Sequence, residues 1–112
     1  MKKHIANQWV AALRSGKYKQ GFGRLRSKNR FCCLGVLCNL HAQAHPEIAS
    51  KELRAGIYLH SAYYLPKAVR DWAETHSDRG LLPGQPSLAK LNDVGISFDE
   101  IAKVISKHWR EL

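Results

Sequence analysis

Cysteine and histidine side chains cluster in one short stretch of the sequence, and together they could bind a zinc ion. Cys38, His41 and His45 are spaced by three and then four residues, which puts them on one face of a helix. Cys33, or its neighbour Cys32, would supply the fourth ligand of a tetrahedral site with two cysteines and two histidines. The stretch has no Cys-x-x-Cys pair, however, and apolar residues fill the positions between. The sequence therefore favours buried core thiols and leaves zinc as the alternative.

A cationic segment is the second feature with chemical consequences. The chain has 18 Lys and Arg residues, 9 Asp and Glu residues and a net charge of +9. No acidic residue precedes Glu47, so residues 1–46 form a basic half that carries the whole excess, and residues 47–112 form a charge-balanced half. Such a segment attracts polyanions, with nucleic acid first and an acidic protein surface second. The simpler interpretation is a solvated basic face that only aids solubility.

Basic and aromatic side chains alternate within this segment, between the first two predicted helices. Lys and Arg side chains neutralise phosphates, and exposed aromatic rings stack on unpaired bases. The predicted contact residues are Arg14, Lys17, Tyr18, Lys19, Phe22, Arg24, Arg26, Lys28 and Arg30. For the rings of Tyr18 and Phe22, the sequence slightly favours a place in the core over an exposed stacking role.

Short helices have to position these residues. Apolar residues at helical spacing predict an amphipathic helix over residues 5–15 and another that begins after Ser97. Further helices are predicted at residues 34–43, after Pro66 and at residues 88–93. The last helix should begin with a capping box, in which a serine and a glutamate three residues later satisfy each other's backbone amides.

Two β-hairpins are predicted between the helices. Residues 18–26 and 31–33 flank a polar turn and predict a basic hairpin, and residues 57–65 predict a second short one. The expected fold is thus α+β, a small single domain over residues 1–112. About five helices would pack on one or two short antiparallel β-hairpins.

Several classes of protein are disfavoured by the sequence. The nine carboxylates form no obvious acid/base couple, and no spacing pairs a cysteine with a histidine, so we expect no enzyme. A small cysteine-dependent enzyme is the weakest of three hypotheses.

No apolar run is long enough to span a membrane, and three cysteines, two of them adjacent, do not form a secreted disulfide framework. A reducing cytoplasm is the expected location.

Several blocks of sequence resemble a group of small proteins that bacteriophages and prophages encode. The blocks are WVAALRSGKYKQ at residues 9–20 and CCLGVLC at residues 32–38, followed in the same order by Leu65-Pro66, Trp72 and residues 91–98. The group has no established activity, so the resemblance implies a setting and no catalytic residue. That setting is an infected or lysogenic bacterium, where such accessory proteins commonly bind host machinery and inhibit host defence, as anti-CRISPR proteins do.

Two functional hypotheses follow from these observations. The first is a non-enzymatic phage accessory protein without cofactor that binds nucleic acid or a host nucleoprotein complex through its basic N-terminal face. It would work in the cytoplasm of the bacterial host and inhibit a defence system. The alternative is a small structural zinc domain, held by Cys33, Cys38, His41 and His45, that serves as a DNA-binding or protein-interaction module. No membrane partner is expected, and a hairpin edge could pair with a second copy of the chain.

Overall fold

Five α-helices and a three-stranded β-sheet make up the part of the chain that the computed structural model describes, residues 1–48 and 55–112. This arrangement confirms the expected small α+β domain. None of the described helices combines the length and the apolar character needed to cross a membrane. The elements in chain order are α1 (Lys3–Arg14), β1 (Lys19–Gln20), β2 (Arg26–Ser27), β3 (Arg30–Phe31), α2 (Cys33–Ala44), α3 (Lys67–Ala73), α4 (Leu88–Asp93), α5 (Phe98–His108) and a short 3₁₀ helix (Trp109–Glu111).

Apolar stripes on α1 and α5 face each other and form one layer of the core. The stripe of α1 includes Trp9 and Leu13, that of α5 includes Ile101 and Ile105, and all four side chains are buried. α1 packs more extensively against α5 than against any other described element. After α1, Gly16 turns the chain with a φ of 76°, a left-handed conformation that glycine adopts without strain.

The capping box predicted at the start of α5 forms in one direction only. The Ser97 hydroxyl accepts a hydrogen bond from the backbone N–H of Glu100 at 3.2 Å, as expected. The Glu100 carboxylate instead accepts a hydrogen bond from Lys103 Nζ at 3.0 Å, one turn further along the helix. The serine thus caps the helix, and the glutamate joins a surface ion pair.

α2 is the central helix, and it is apolar on almost every side. Residues 33–38 are all buried, which is typical of a helix that lies in the middle of a core. At its start, Cys32 Sγ accepts a hydrogen bond from the backbone N–H of Gly35 at 3.4 Å. The indole N–H of Trp9 donates to the carbonyl oxygen of Cys33 at 2.9 Å and so ties α1 to this helix.

The sheet differs from the predicted basic hairpin in its pairing. Its strand order is β1-β3-β2, with β1 parallel to β3 and β2 antiparallel to β3. The antiparallel hairpin therefore joins β2 to β3 across the turn at Lys28 and Asn29, where Lys28 has a φ of 57°. The prediction that residues 18–26 form one strand of that hairpin is wrong, because the chain loops out after Gln20 and returns at Arg26.

The second hairpin, predicted over residues 57–65, is reduced to a single bridge between Tyr58 and Ser61. The backbone beyond the bridge has another partner, since the carbonyl oxygen of Ala62 accepts a hydrogen bond from the N–H of Leu25 at 2.8 Å. This stretch instead packs beside the loop between β1 and β2.

Candidate nucleic-acid interface

One face of the sheet presents basic side chains to solvent. Lys19 lies opposite Arg30 in the register of β1 and β3, and Arg30 lies opposite Ser27 on the other side. Residues paired in this way project from the same face of a sheet, and all three are exposed. The Arg30 guanidinium donates to the carbonyl oxygen of Gln20 at 3.2 Å, which holds it along β1. Lys19 and Arg30 therefore lie side by side on the exposed face.

The other face of the sheet packs on the core and holds Arg26 in place. Phe31, paired with Arg26 across the sheet, is buried. The Arg26 guanidinium carbon lies 4.8 Å from the centre of the Phe31 ring, and its Nε donates to the carbonyl oxygen of Lys28 at 2.7 Å. Arg26 is thus a half-buried cation with a fixed position, whereas Lys28 at the turn is exposed.

The two aromatic rings of the segment have different environments. Tyr18 is half-buried, meets the Phe31 ring edge-on at 5.1 Å and accepts a hydrogen bond from Asn39 Nδ2 at 2.6 Å. Phe22 is 59 % exposed, so its expected place in the core is wrong. Phe22 lies in the loop between β1 and β2, whose backbone bends so that Leu25 rather than Phe22 enters the core.

That loop is held from both sides by the charge-balanced half of the chain. The N–H of Gly23 donates to the Asp93 carboxylate at 2.9 Å. Leu25 is completely buried, and its N–H bonds to Ala62 as described above. Between them, Arg24 is exposed, and its guanidinium carbon lies 5.2 Å from the centre of the Tyr63 ring.

Asn92 is the residue that fixes the sheet and loop to the core, and the sequence analysis did not identify it. Its side chain is buried and accepts hydrogen bonds from the backbone N–H of Cys33 at 3.0 Å and from Gln20 Nε2 at 3.1 Å. Its amide donates to the carbonyl oxygen of Gly21 at 2.8 Å. A buried asparagine at the end of α4 thus joins β1, the loop and the start of α2. In the sequence, Asn92 lies within residues 91–98, one of the blocks that resemble the phage-encoded proteins, and this position was the signal that could have identified it.

The remaining predicted contacts lie where α1 ends. Arg14 is the last residue of α1, where a cation also interacts favourably with the helix dipole. Lys17 follows two residues before β1, and its N–H donates to the Ser15 hydroxyl at 3.1 Å. Both side chains are exposed.

The basic side chains of residues 14–30 have no acidic partners within the described part of the chain. The ion pairs found there involve other residues, for example Lys2 with Glu74 at 3.9 Å and Lys67 with Asp71 at 2.6 Å. Their positive charge is therefore not neutralised by those residues and faces solvent. The unpaired cations are Arg14, Lys17, Lys19, Arg24, Arg26, Lys28 and Arg30.

The predicted zinc ligands do not converge. Cys33 Sγ donates to the carbonyl oxygen of Leu88 at 3.6 Å, and Cys38 is completely buried in the core. His41 Nδ1 is bonded to the Tyr58 hydroxyl at 2.6 Å. His45 Nδ1 donates to the carbonyl oxygen of His41 at 2.8 Å. Within residues 1–48 and 55–112, no group of three or more His, Cys, Asp or Glu side chains is arranged to hold a metal ion.

The cysteine thiols are poorly suited to nucleophilic chemistry. Burial raises the pKa of Cys32 to about 11, and its bond from the Gly35 N–H opposes this only in part. Burial also raises the pKa of Cys33 and of Cys38 well above the ordinary thiol value. All three thiols are therefore protonated at neutral pH, whereas nucleophilic attack requires the thiolate. They behave as the buried apolar residues that the sequence favoured.

Almost the whole chain matches one family of sequences. No curated protein and no solved structure is significantly similar to it. A family model described as Domain of unknown function (DUF8296) matches residues 1–109, almost the whole chain. The protein therefore belongs to the DUF8296 family.

Proposed function

We propose that this protein is a non-enzymatic binding protein that engages nucleic acid, bare or within a host nucleoprotein complex, through the exposed cations of residues 14–30. The observation that carries the proposal is that these cations have no acidic partner among the described residues. Like charges held together repel one another. A polyanion relieves that repulsion and releases its own counterions on binding.

The geometry of the sheet supports a contact with a phosphate backbone. Neighbouring strands lie about 4.8 Å apart, so Lys19 and Arg30 extend from adjacent points on one exposed face. Two long cationic side chains at this spacing can contact one phosphate or two successive ones. Arg24 extends the cationic surface along the loop, and Lys17 extends it toward the end of α1.

The test uses two charge-matched double variants. Lys17→Glu/Lys19→Glu changes the proposed surface, and Lys103→Glu/Lys107→Glu makes the same change of charge on α5. Binding to fluorescently labelled DNA and RNA is measured by anisotropy across a salt series. For a single-stranded probe, each lost phosphate contact should reduce the slope of log K against log salt by about 0.7. The first variant should therefore lose affinity and about 1.4 in slope, and the α5 variant should resemble the wild type. Undiminished binding by a folded Lys17→Glu/Lys19→Glu variant overturns the proposal.

The setting that we propose is the cytoplasm of a bacterial host, where the protein acts as a phage accessory factor that inhibits a defence system. This part of the proposal is supported by the resemblance of residues 9–20 and 32–38 to small phage-encoded proteins. In a bacterium with an active RNA-guided defence, expression of the wild-type protein should raise the plating efficiency of a targeted phage. The Lys17→Glu/Lys19→Glu variant should not raise it. Equal plating with and without the wild-type protein contradicts the proposed role in that defence.

A further inference from the structure

Two adjacent exposed tyrosines lie where two surface clefts meet. Tyr63 and Tyr64 are 53 % and 38 % exposed and line both clefts. The first cleft has a volume of about 270 Å³ and extends from the tyrosines to Gly23 and Asp93. The second has a volume of about 460 Å³ and extends to Arg70. The tyrosines thus form a ridge between the two, called the tyrosine ridge below.

Each ring of the tyrosine ridge carries an arginine on its face. The guanidinium carbon of Arg24 lies 5.2 Å from the centre of the Tyr63 ring, and that of Arg79 lies 4.2 Å from the centre of the Tyr64 ring. Arg79 is also paired with Asp78 at 3.0 Å, which holds it over the ring. Such cation–π contacts fix the orientation of a ring before any ligand arrives.

The tyrosine ridge is continuous with the proposed polyanion surface. Arg24 belongs to the cationic segment and touches the ridge directly. Gly23, beside it in the loop, lines the first cleft, and Phe22, the next residue, is the most exposed large apolar side chain of the described residues. On the far side, Arg70 lines the second cleft and forms no ion pair within the described ranges. Cations therefore lie on both sides of the rings.

We propose that the tyrosine ridge is a stacking site for the unpaired bases of a single-stranded nucleic acid. The inference rests on the proposed function and specifies its substrate class. Aromatic rings beside arginines bind single strands because every base has a π-face on which such a ring can stack. Bases inside a duplex keep those faces covered by their neighbours, so the ridge selects single strands.

The first cleft suits a base better than it suits a phosphate. Its volume of about 270 Å³ is near the lower end of small-molecule sites, which fits one planar heterocycle. The Asp93 carboxylate lines this cleft and is held in place by the N–H of Gly23 at 2.9 Å. A carboxylate repels phosphate but accepts hydrogen bonds from the amino and imino groups of bases. The phosphates of the strand would then follow Arg24 and Arg70 outside the cleft.

The experiment compares removal of the rings with removal of their hydroxyls alone. A short fluorescein-labelled oligothymidylate is titrated as a single strand and after annealing to its complement. The double variant Tyr63→Ala/Tyr64→Ala should bind the single strand at least about tenfold more weakly, with an unchanged salt slope. Its affinity for the duplex should be that of the wild type. The matched control, Tyr63→Phe/Tyr64→Phe, keeps both rings and should bind the single strand as the wild type does.

The outcomes separate this inference from the proposed function. Wild-type affinity of the alanine variant for the single strand overturns the stacking site alone. Failure of the wild-type protein to bind either probe overturns the proposed function together with it. Photocrosslinking of the wild-type protein to a 5-iodouracil single strand needs no variant to fold. Cross-links to Tyr63 or Tyr64 support the stacking site, and cross-links confined to other residues overturn it.

Discussion

Asn92 shows at the scale of single residues how one polar side chain can position a binding surface. Its buried amide holds backbone groups of Cys33 and Gly21 that have no water to bond with. Satisfying buried backbone groups is a requirement of any stable fold. The cationic surface therefore depends on a residue that is itself uncharged and lies outside the basic half.

Substituting Asn92 by Ala should destabilise the protein by about 3 kcal/mol, because it leaves a buried N–H and a buried C=O without partners and each costs about 1–3 kcal/mol. Urea unfolding followed by circular dichroism measures the change. Asn39→Ala is the matched control, since Asn39 is half-buried and its side chain makes one hydrogen bond to the described residues, to Tyr18. It should cost about 1 kcal/mol. Equal losses in the two variants would show that Asn92 has no special role.

The three cysteines should react with a thiol reagent only when the protein unfolds. Burial raises the pKa of Cys32 to about 11 and that of the other two well above the ordinary thiol value, so the reactive thiolate is scarce at neutral pH and shielded from reagent. Labelling with a disulfide reagent at neutral pH should be slow for the folded protein and should reach three equivalents in denaturant. Rapid labelling of any cysteine in the folded protein argues against its burial.

His41 should make stability depend on pH. Burial, together with the neighbouring His45, lowers the pKa of His41 below its ordinary value of 6.5, and Glu47 opposes this only in part. The unfolded chain then binds a proton that the folded protein resists, so stability is full above pH 6.5 and falls as the pH drops through the folded pKa. Urea unfolding from about pH 7 to about pH 5 should show this loss. A His41→Gln variant should show a smaller one, and an unchanged pH dependence would exclude His41 as its source.

At the scale of elements, the loop between β1 and β2 packs so closely on α2 that only glycine fits between them. A Cβ atom at Gly35 would overlap the carbonyl oxygen of Leu25. The leucine side chain is completely buried beside the helix, so the loop cannot shift without opening the core. The CCLGVLC block therefore has a structural reason, which is the contact between a buried helix and the loop that carries Arg24.

Gly35→Ala should destabilise the protein by about 2 kcal/mol. In an unobstructed helix the same change gains stability, by roughly 1 kcal/mol, because alanine has the higher helix propensity. Here overpacking, which typically costs about 1–3 kcal/mol, reverses the sign. Gln43→Ala on the exposed face of α2 is the control and should change stability by less than about 0.5 kcal/mol. A stabilised Gly35→Ala variant would refute the close approach.

The helices were predictable from the sequence because the residues that start, pattern and end a helix lie within it or next to it. α4 has the predicted bounds, residues 88–93, since a capping serine and a terminating glycine lie next to it. The strands have only two residues each and carry no alternation of their own. The parallel pairing of β1 with β3 depends on contacts such as that of Gln20 with Asn92, which are distant in sequence.

In the candidate site, the cations were predictable from the sequence and the two tyrosines were not. Its cations were identified because an uninterrupted excess of charge is visible in the sequence. Tyr63 and Tyr64 were not identified as part of it, because the arginines that stack on them come from distant parts of the chain. Phe22 was included among the predicted contact residues, but the slight preference for a core position of its ring was wrong, since the sequence does not show which side chain the backbone of the loop turns inward.

In the whole molecule, the excess positive charge lies in one half of the chain, and three of the five described helices lie in the other half. The charge-balanced half supplies α3, α4 and α5, and most of its ion pairs among the described residues are formed locally, as between Lys67 and Asp71. The basic half supplies the sheet and its exposed cations, which are anchored by Asn92 and Asp93 from the other half. The fold thus holds in a fixed position a surface whose positive charges have no acidic partners among the described residues. This is the arrangement expected of a protein that binds a polyanion.

If these cations contact phosphates, binding by the wild-type protein has to depend on salt. Affinity for a labelled single strand is measured by anisotropy over a range of salt concentrations. Log K should fall linearly with log salt, with a slope of about −0.7 for each phosphate neutralised. With the seven unpaired cations of residues 14–30, a slope between about −2 and about −5 is predicted. Binding that does not weaken with salt, or no binding at low salt, would show that these cations do not contact phosphates.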